Sequence, residues 1–141
     1  MGALLLASAP AATVALTADD ALGSSSFSAA GNWSDAAAPS SANDYVTGAY
    51  MLRTPADTGN KVFAGASLTL QGSGLVSNAT NPGALLYKGT SNQTINFANL
   101  ISDGGQIRNA ANTAGTLVNL TGNLTVASNG LTIPRLKGTS A

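Results

Sequence analysis

Apolar and polar residues alternate along two segments of the chain. The alternating apolar positions are Val62, Ala64, Ala66, Leu68 and Leu70 in the first segment, and Val118, Leu120, Gly122, Leu124 and Val126 in the second. A period of two over nine residues predicts a half-buried β-strand that directs one row of side chains into the core. We therefore expect Leu68, Leu124 and Val126 to point inward.

A third segment breaks this regular alternation. Ile95, Phe97 and Ile101 have the opposite parity from Leu100, which we also expect to point inward. Such a pattern arises either in a strand that is covered on both faces or in a strand that contains a β-bulge, because one extra residue reverses the side chains that follow. The sequence leaves both alternatives open.

The three segments contain the same phrase. SLTLQGSGLVS (67–77), NLISDGGQIRN (99–109) and NLTVASNGLTI (123–133) align on Leu68, Leu100 and Leu124, which lie 32 and 24 residues apart. In each copy the next core-type aliphatic follows seven positions later, at Leu75, Ile107 and Leu131. The residues between are rich in Gly, Ser and Asn, which accept positive φ or bond their own backbone. Each copy predicts a strand, a corner and a second strand.

A unit that recurs along a sequence is typical of a solenoid, in which each repeat buries its apolar face by stacking on its neighbours. The repeats near 62–77, 94–109 and 118–133 have strand patterns and no helical pattern. They predict an all-β fold, a β-solenoid (parallel β-helix) with an N-terminal cap, in one domain over residues 18–141. The alternative is an antiparallel β-sandwich or jelly roll, which fits regularly spaced strands and turns almost as well.

Stacked coils would place like residues in register about 4.8 Å apart, and Asn99 would then lie beside Asn123. The predicted repeat core comprises Val62, Leu68, Leu70, Leu75, Leu100, Ile107, Val118, Leu120, Leu124, Val126 and Leu131.

Composition excludes several classes of function. The chain has 44% hydrophobic and 9% charged residues, and six basic side chains balance six acidic ones. Nucleic acid is not an expected partner, because phosphate binding needs a basic cluster and these basic residues are scattered. Cysteine and histidine are absent, which removes thiolate and imidazole metal sites and the common Ser-His-Asp and Cys-His nucleophile systems. We expect no enzyme activity, no catalytic residue, no metal and no cofactor.

Residues 1–17 form an apolar arm before the first recognisable strand. The arm resembles a secretory leader in its apolar stretch followed by small residues, although no Lys or Arg precedes that stretch. It is too short to span a bilayer, which takes about 20 apolar residues. The alternative is a donor strand that adds to the sheet edge of a neighbouring copy and builds a head-to-tail oligomer or filament. The self-association residues would be Leu4, Leu5, Leu6, Val14 and Leu16.

Two groups near the N-terminus are candidate sites. Trp33, with Tyr45 and Tyr50 nearby in sequence, is either a sugar-stacking platform or the plug of an N-terminal cap, and we favour the cap. The carboxylates are either calcium ligands or turn and cap residues, and the absence of a Gly-Gly-x-Gly-x-Asp repeat favours turns and caps. These carboxylates belong to Asp19, Asp20, Asp35 and Asp44.

Longer runs of the sequence resemble a known class of proteins. GNWSDAAAPSSANDYV (31–46), LRTP (52–55), FAGASLTLQGSG (63–74) and GGQIRNAANTAGTLVNLTGNLTV (104–126) resemble units of the long secreted surface proteins of environmental bacteria, including those with autotransporter-associated β-strand repeats. The resemblance covers about residues 13–133. It implies a β-helical stalk, passenger or adhesin that is secreted or held at the cell surface.

The expected function is therefore that of a non-catalytic extracellular structural protein, a self-assembling filament, surface-layer or adhesin subunit whose partner is itself. The alternative is a carbohydrate-binding module of a cell-surface system, with surface glycans as its partners.

Overall fold

A computed structural model describes residues 10–72, 83–111, 115–131 and 133. Within these ranges the fold is all-β and contains no helix. The strands are β1 (Ala12–Ala15), β2 (Asn43–Val46), β3 (Met51–Arg53), β4 (Lys61–Val62), β5 (Ser67–Gln71), β6 (Ala84–Tyr87), β7 (Gln93–Asp103), β8 (Gln106–Asn109) and β9 (Val118–Val126). One sheet has six strands, in the order β1-β2-β5-β7-β4 with β9 also paired to β7, and the other has three, in the order β3-β6-β8.

The strand ladders in these ranges are all parallel. From β2 onward the chain alternates between the two sheets, and β4 and β5 together form one visit to the larger sheet. Each strand from β5 onward pairs with a strand of the previous visit to the same sheet, and β4 pairs with the later strand β7. Parallel neighbours need a long connection between them, and here that connection runs through the other sheet. The expected all-β architecture is confirmed, whereas the antiparallel alternative is wrong for these strands.

Side chains of successive strands stack in columns. Leu68 lies in register with Leu100, and Leu100 lies in register with Leu124, as the alignment of the repeats predicts. Tyr45 occupies the preceding position of the same column. The second sheet contains a similar column, formed by Leu52, Leu85 and Ile107.

Polar residues stack as well. The Asn123 Nδ2 group donates to Asn99 Oδ1 over 3.2 Å, so the predicted contact between the two asparagines is confirmed. At the following corner, Gly104 and Gly130 have φ values of 79° and 81°. The Gly104 N–H donates to the Gly130 carbonyl over 2.9 Å. These corners adopt the positive φ that their glycine content predicts.

A β-bulge at Ala98 explains the mixed parity of the middle segment. The pairing of β7 with β9 runs to Phe97 and resumes at Asn99, so Ala98 is the extra residue in β7. Ile95 and Phe97 before the bulge and Leu100 after it are all buried, although their parities differ. Of the two alternatives that the sequence left open, the bulge is the one found.

The segment 62–70 is not one continuous strand, and this corrects the predicted alternation. β4 ends at Val62, the chain bends at residues 65–66, and β5 follows. Val62 is 65% exposed while Phe63 is buried, so the inward row before the bend lies one position later than predicted. After the bend, Leu68 and Leu70 are buried, as predicted.

Buried residues of both sheets form one core, and its centre is aromatic. The ring of Tyr45 lies 4.8 Å from that of Trp33 and 5.4 Å from that of Phe63, in edge-to-face contacts. Phe27 makes further edge-to-face contacts with Phe63 and Phe97, at 5.3 Å and 6.0 Å. Such pairs add stabilisation beyond the area that they bury.

The remaining predicted core residues differ in burial, and most of them lie in β9 or near it. Ile107 and Val118 are partly buried and pack against the core, and Leu131 is half-buried. Leu75 lies outside the described residues. The prediction that the β9 side chains are buried is wrong for three residues, because no described strand covers β9: Leu120, Leu124 and Val126 are 37%, 56% and 54% exposed.

Candidate functional site

The N-terminal edge of the larger sheet is closed by the chain itself. The Thr17 N–H and hydroxyl both donate to the Asn32 carbonyl, over 2.9 Å and 2.7 Å. The Ser34 N–H donates to the Ala15 carbonyl over 2.8 Å, and the Ser34 hydroxyl accepts from the Ala15 N–H over 3.1 Å. These contacts occupy backbone groups that an edge strand such as β1 would otherwise expose.

Trp33 is buried next to this N-terminal edge. Its ring is buried against Tyr45, and its Nε1–H donates to the Ser26 carbonyl over 2.6 Å. A buried tryptophan needs such a partner for its N–H group. The burial of Trp33 agrees with the cap interpretation, and the sugar-stacking alternative is wrong for this ring, because a sugar has no access to it.

Two carboxylates close the N-terminal edge of the smaller sheet. Asp20 is buried and accepts from the Ser26 N–H and hydroxyl, over 2.9 Å and 2.5 Å, and from the Arg53 N–H of β3 over 2.8 Å. Asp19 accepts from the Met51 N–H of β3 over 2.7 Å. The carboxylates thus satisfy donors of β3 that a further strand would otherwise pair.

The other two candidate carboxylates also serve the chain's own groups. Asp35 accepts from the Ala37 N–H over 3.1 Å, and Asp44 accepts from the Ser67 hydroxyl over 2.6 Å. Asp103, the carboxylate of the repeated region, accepts from Asn129 Nδ2 over 2.8 Å at a stacked corner. In the ranges that the structure describes, no group of three or more carboxylates could hold a metal ion.

A small polar cluster that the sequence analysis missed lies at one end of β4 and β6. Asp57 and Lys61 form an ion pair, and the hydrogen bond from Lys61 holds the pKa of Asp57 below its usual value, although partial burial opposes this. The Tyr87 hydroxyl donates to the Ser91 carbonyl, and the Gln93 side-chain amide donates to the Asp57 carbonyl. Burial, with a smaller contribution from the Asp57 charge, raises the pKa of Tyr87. No motif in the sequence marks these residues, and one carboxylate paired with a lysine does not make a two-acid site.

The opposite end of the strand stack is open in the part of the chain that the structure describes. In the inward row of β9, Leu120 lies in register with Ile95 of β7, and Leu124 lies in register with Leu100. The two β7 residues are buried, so these β9 residues belong to the same inward columns. A groove of about 260 Å³ adjoins this row. Its apolar lining includes Tyr87, Ile107, Leu117, Leu120 and Ile133. This exposed apolar surface, which we call the β9 end, is the candidate functional site.

The expected donor arm is wrong for the residues that can be placed. Val14 and Leu16 are buried in the chain's own core, and β1 pairs with β2 of the same chain. They are therefore unavailable to a neighbouring copy. Leu4, Leu5 and Leu6 lie outside the described residues.

No known protein family, curated protein or solved structure matches this chain. The resemblance to bacterial surface repeats therefore stays a prediction from the sequence. None of the described segments forms a helix long and apolar enough to cross a membrane.

Proposed function

We propose that the chain is a non-catalytic structural subunit, a parallel β-solenoid that is exported to the bacterial cell surface and assembles through the β9 end. The observation that carries the proposal is the in-register column of Leu68, Leu100 and Leu124. In this column each strand covers the one before, and no described strand covers the last. In a stack of this kind each coil buries its apolar face against its neighbours. Such an architecture suits a stalk or scaffold.

The interior supports a structural role. In the described part of the chain, packed aromatic rings fill the core. The carboxylates that a hydrolase would require are engaged elsewhere, since Asp20 caps a sheet and Asp103 bonds a corner asparagine. Only 9% of the residues are charged. These features support a scaffold and provide no catalytic constellation.

The cell-surface assignment rests on the resemblance of residues 13–133 to secreted bacterial repeats. Immunogold labelling of intact cells of the native host tests it, and label confined to permeabilised cells would refute it. Light scattering and a glycan array of the purified protein test the structural role. We expect an oligomer in solution and no specific glycan; saturable binding to one glycan class would favour a carbohydrate-binding module instead.

A further inference from the structure

One edge of β9 pairs with β7, and no described strand pairs with the other edge. Natural sheets protect such edges with charged residues, proline or a covering segment. β9 has the sequence VNLTGNLTV, with neither a charge nor a proline. Within the described ranges, the outer backbone donors and acceptors of β9 and its apolar row are therefore available for strand addition.

The pattern of β9 is symmetric about its central residue, Gly122. Reading outward from Gly122, a polar residue is followed by Leu, then by a polar residue, then by Val, in both directions. If two copies of β9 pair antiparallel about Gly122, like positions face each other. The facing pairs are Val118 with Val126, Leu120 with Leu124, Asn119 with Thr125, and Thr121 with Asn123.

A two-fold axis perpendicular to the sheet produces this arrangement, and it keeps the inward rows of both copies on the same side of the joined sheet. A two-fold interface uses the same patch twice and must be self-complementary. The row formed by Val118, Leu120, Leu124 and Val126 satisfies this condition, because Leu meets Leu and Val meets Val. Without charges on the strand, the two copies also meet without like-charge repulsion.

The contacts at the N-terminal end argue against the competing head-to-tail contact. Ala15 of β1 and the following Thr17 are bonded to segment 32–34, and the β3 edge is bonded to Asp19 and Asp20. A β9 strand from another copy would have to displace these contacts before it could add there. The β9 end of a second copy has no such cover among the described residues.

We infer that the partner of the β9 end is a second copy of this chain, whose β9 pairs antiparallel about Gly122 to form a two-fold dimer. This inference rests on the proposed assembly function and specifies its surface. It makes the six-stranded sheet continuous across two subunits and covers the apolar rows of both.

The chain contains no cysteine, so single-cysteine variants test the register directly. Asn119→Cys and Thr125→Cys replace exposed side chains of β9. In the inferred dimer each residue faces the other across the axis at about 5 Å between Cβ atoms, within reach of a disulfide after small adjustment. Two copies of the same residue are six positions apart along the pair, roughly 20 Å. Under mild oxidation the mixture of both variants should form disulfide dimers far faster than either variant alone.

A second pair of variants tests the surface without cysteine. Leu124→Lys places charges against the apolar row of the partner and should weaken dimerisation by roughly tenfold or more. Leu22→Lys is the matched control, because Leu22 is 85% exposed and lies outside β9. Light scattering after size-exclusion chromatography should give twice the mass of the chain for the wild type and for Leu22→Lys, and a shift to the monomer for Leu124→Lys. Circular dichroism confirms that each variant is folded.

Three results would overturn the inference: a wild-type chain that stays monomeric at high concentration, self-crosslinking of Asn119→Cys as fast as the mixture, or dimerisation of Leu124→Lys equal to that of Leu22→Lys. The glycan array, which tests the proposed function, can be run on the monomer or on the dimer. Its result therefore does not depend on the result of the crosslinking experiment.

Discussion

Leu124 stacks in register on Leu100, yet Leu100 is 3% exposed and Leu124 is 56% exposed. Both residues belong to the inward column, and they differ in what lies over them. β9 covers Leu100, whereas no described strand covers Leu124. The same amino acid in the same column therefore contributes differently to stability according to its place in the stack.

Leu100→Ala should lower the free energy of unfolding by roughly 2 to 5 kcal/mol, the usual range for truncation of a buried leucine. Leu124→Ala should lower it by less than about 1.5 kcal/mol in the monomer, because much of that side chain remains in water in the folded state. Urea titrations of the two variants should be compared at the lowest protein concentration that gives a signal, so that the monomer is measured. Equal losses would contradict the burial found here.

The asparagine contact across β7 and β9 should contribute measurable coupling. A double-mutant cycle with Asn99→Ala and Asn123→Ala should give about 0.5 to 1 kcal/mol of interaction energy, as expected for an exposed neutral hydrogen bond. The control cycle combines Asn99→Ala with Asn119→Ala, two positions that do not pair, and should be additive within about 0.5 kcal/mol. Equal coupling in both cycles would argue against a specific ladder.

Asp20→Ala should be among the most destabilising polar substitutions, at roughly 2 to 4 kcal/mol. It leaves the buried N–H donor of Ser26 and the half-buried N–H donor of Arg53 without an acceptor. Asp35→Ala is the matched control, since Asp35 is exposed and accepts from one local N–H. Thermal unfolding with calorimetric enthalpies measures both. A small effect at Asp20 would mean that the closed end contributes little to stability.

The metal-free interpretation of these carboxylates has a direct test. Dialysis against a strong chelator should leave the melting temperature unchanged, because Asp19 and Asp20 act as acceptors for the chain's own backbone and hydroxyl groups. Adding calcium to the dialysed protein provides the control. A fall in melting temperature that calcium reverses would show that metal binding contributes to folding.

Tyr87 should make stability fall at alkaline pH. Burial and the Asp57 charge raise its pKa above the ordinary value of about 10, so the folded state holds the phenolic proton more tightly than the unfolded state does. The stability from this difference is fully present below about pH 10 and is lost as the pH rises through the folded-state pKa. Urea titrations from about pH 8 to about pH 11 should show a shallower decline for Tyr87→Phe. Identical slopes for Tyr87→Phe and the wild type would refute this assignment.

The register of the sheets could be predicted from the sequence because repetition aligns Leu68, Leu100 and Leu124, and parallel stacking brings aligned residues together. The exposure of the Val62 side chain could not be predicted. Alternation with a period of two does not reveal a bend in the chain that shifts the inward-facing positions by one residue. The exposure of Leu124 was also inaccessible, because it depends on what covers the strand and not on the strand's own pattern.

The closed end was only half predictable. Trp33 stood out as the one tryptophan of the chain, and its role as a plug follows from the need of a stack to shield its core. Asp20 gave no comparable signal, because its acceptor role depends on the Arg53 N–H, 33 residues away in sequence. Contacts of that range follow from the fold as a whole.

The parallel pairing also determines how the chain must fold. The smallest separation between registered residues is 22 positions, from Ala84 to Gln106, and the largest is 34, from Lys61 to Ile95. No ladder among the described strands is a hairpin, so none can form from a local turn alone. Each requires the entropy of a long loop to be lost before any ladder bond is gained. We expect refolding on the slow timescale of chains dominated by distant contacts, with a rate that changes little when a single corner residue is replaced.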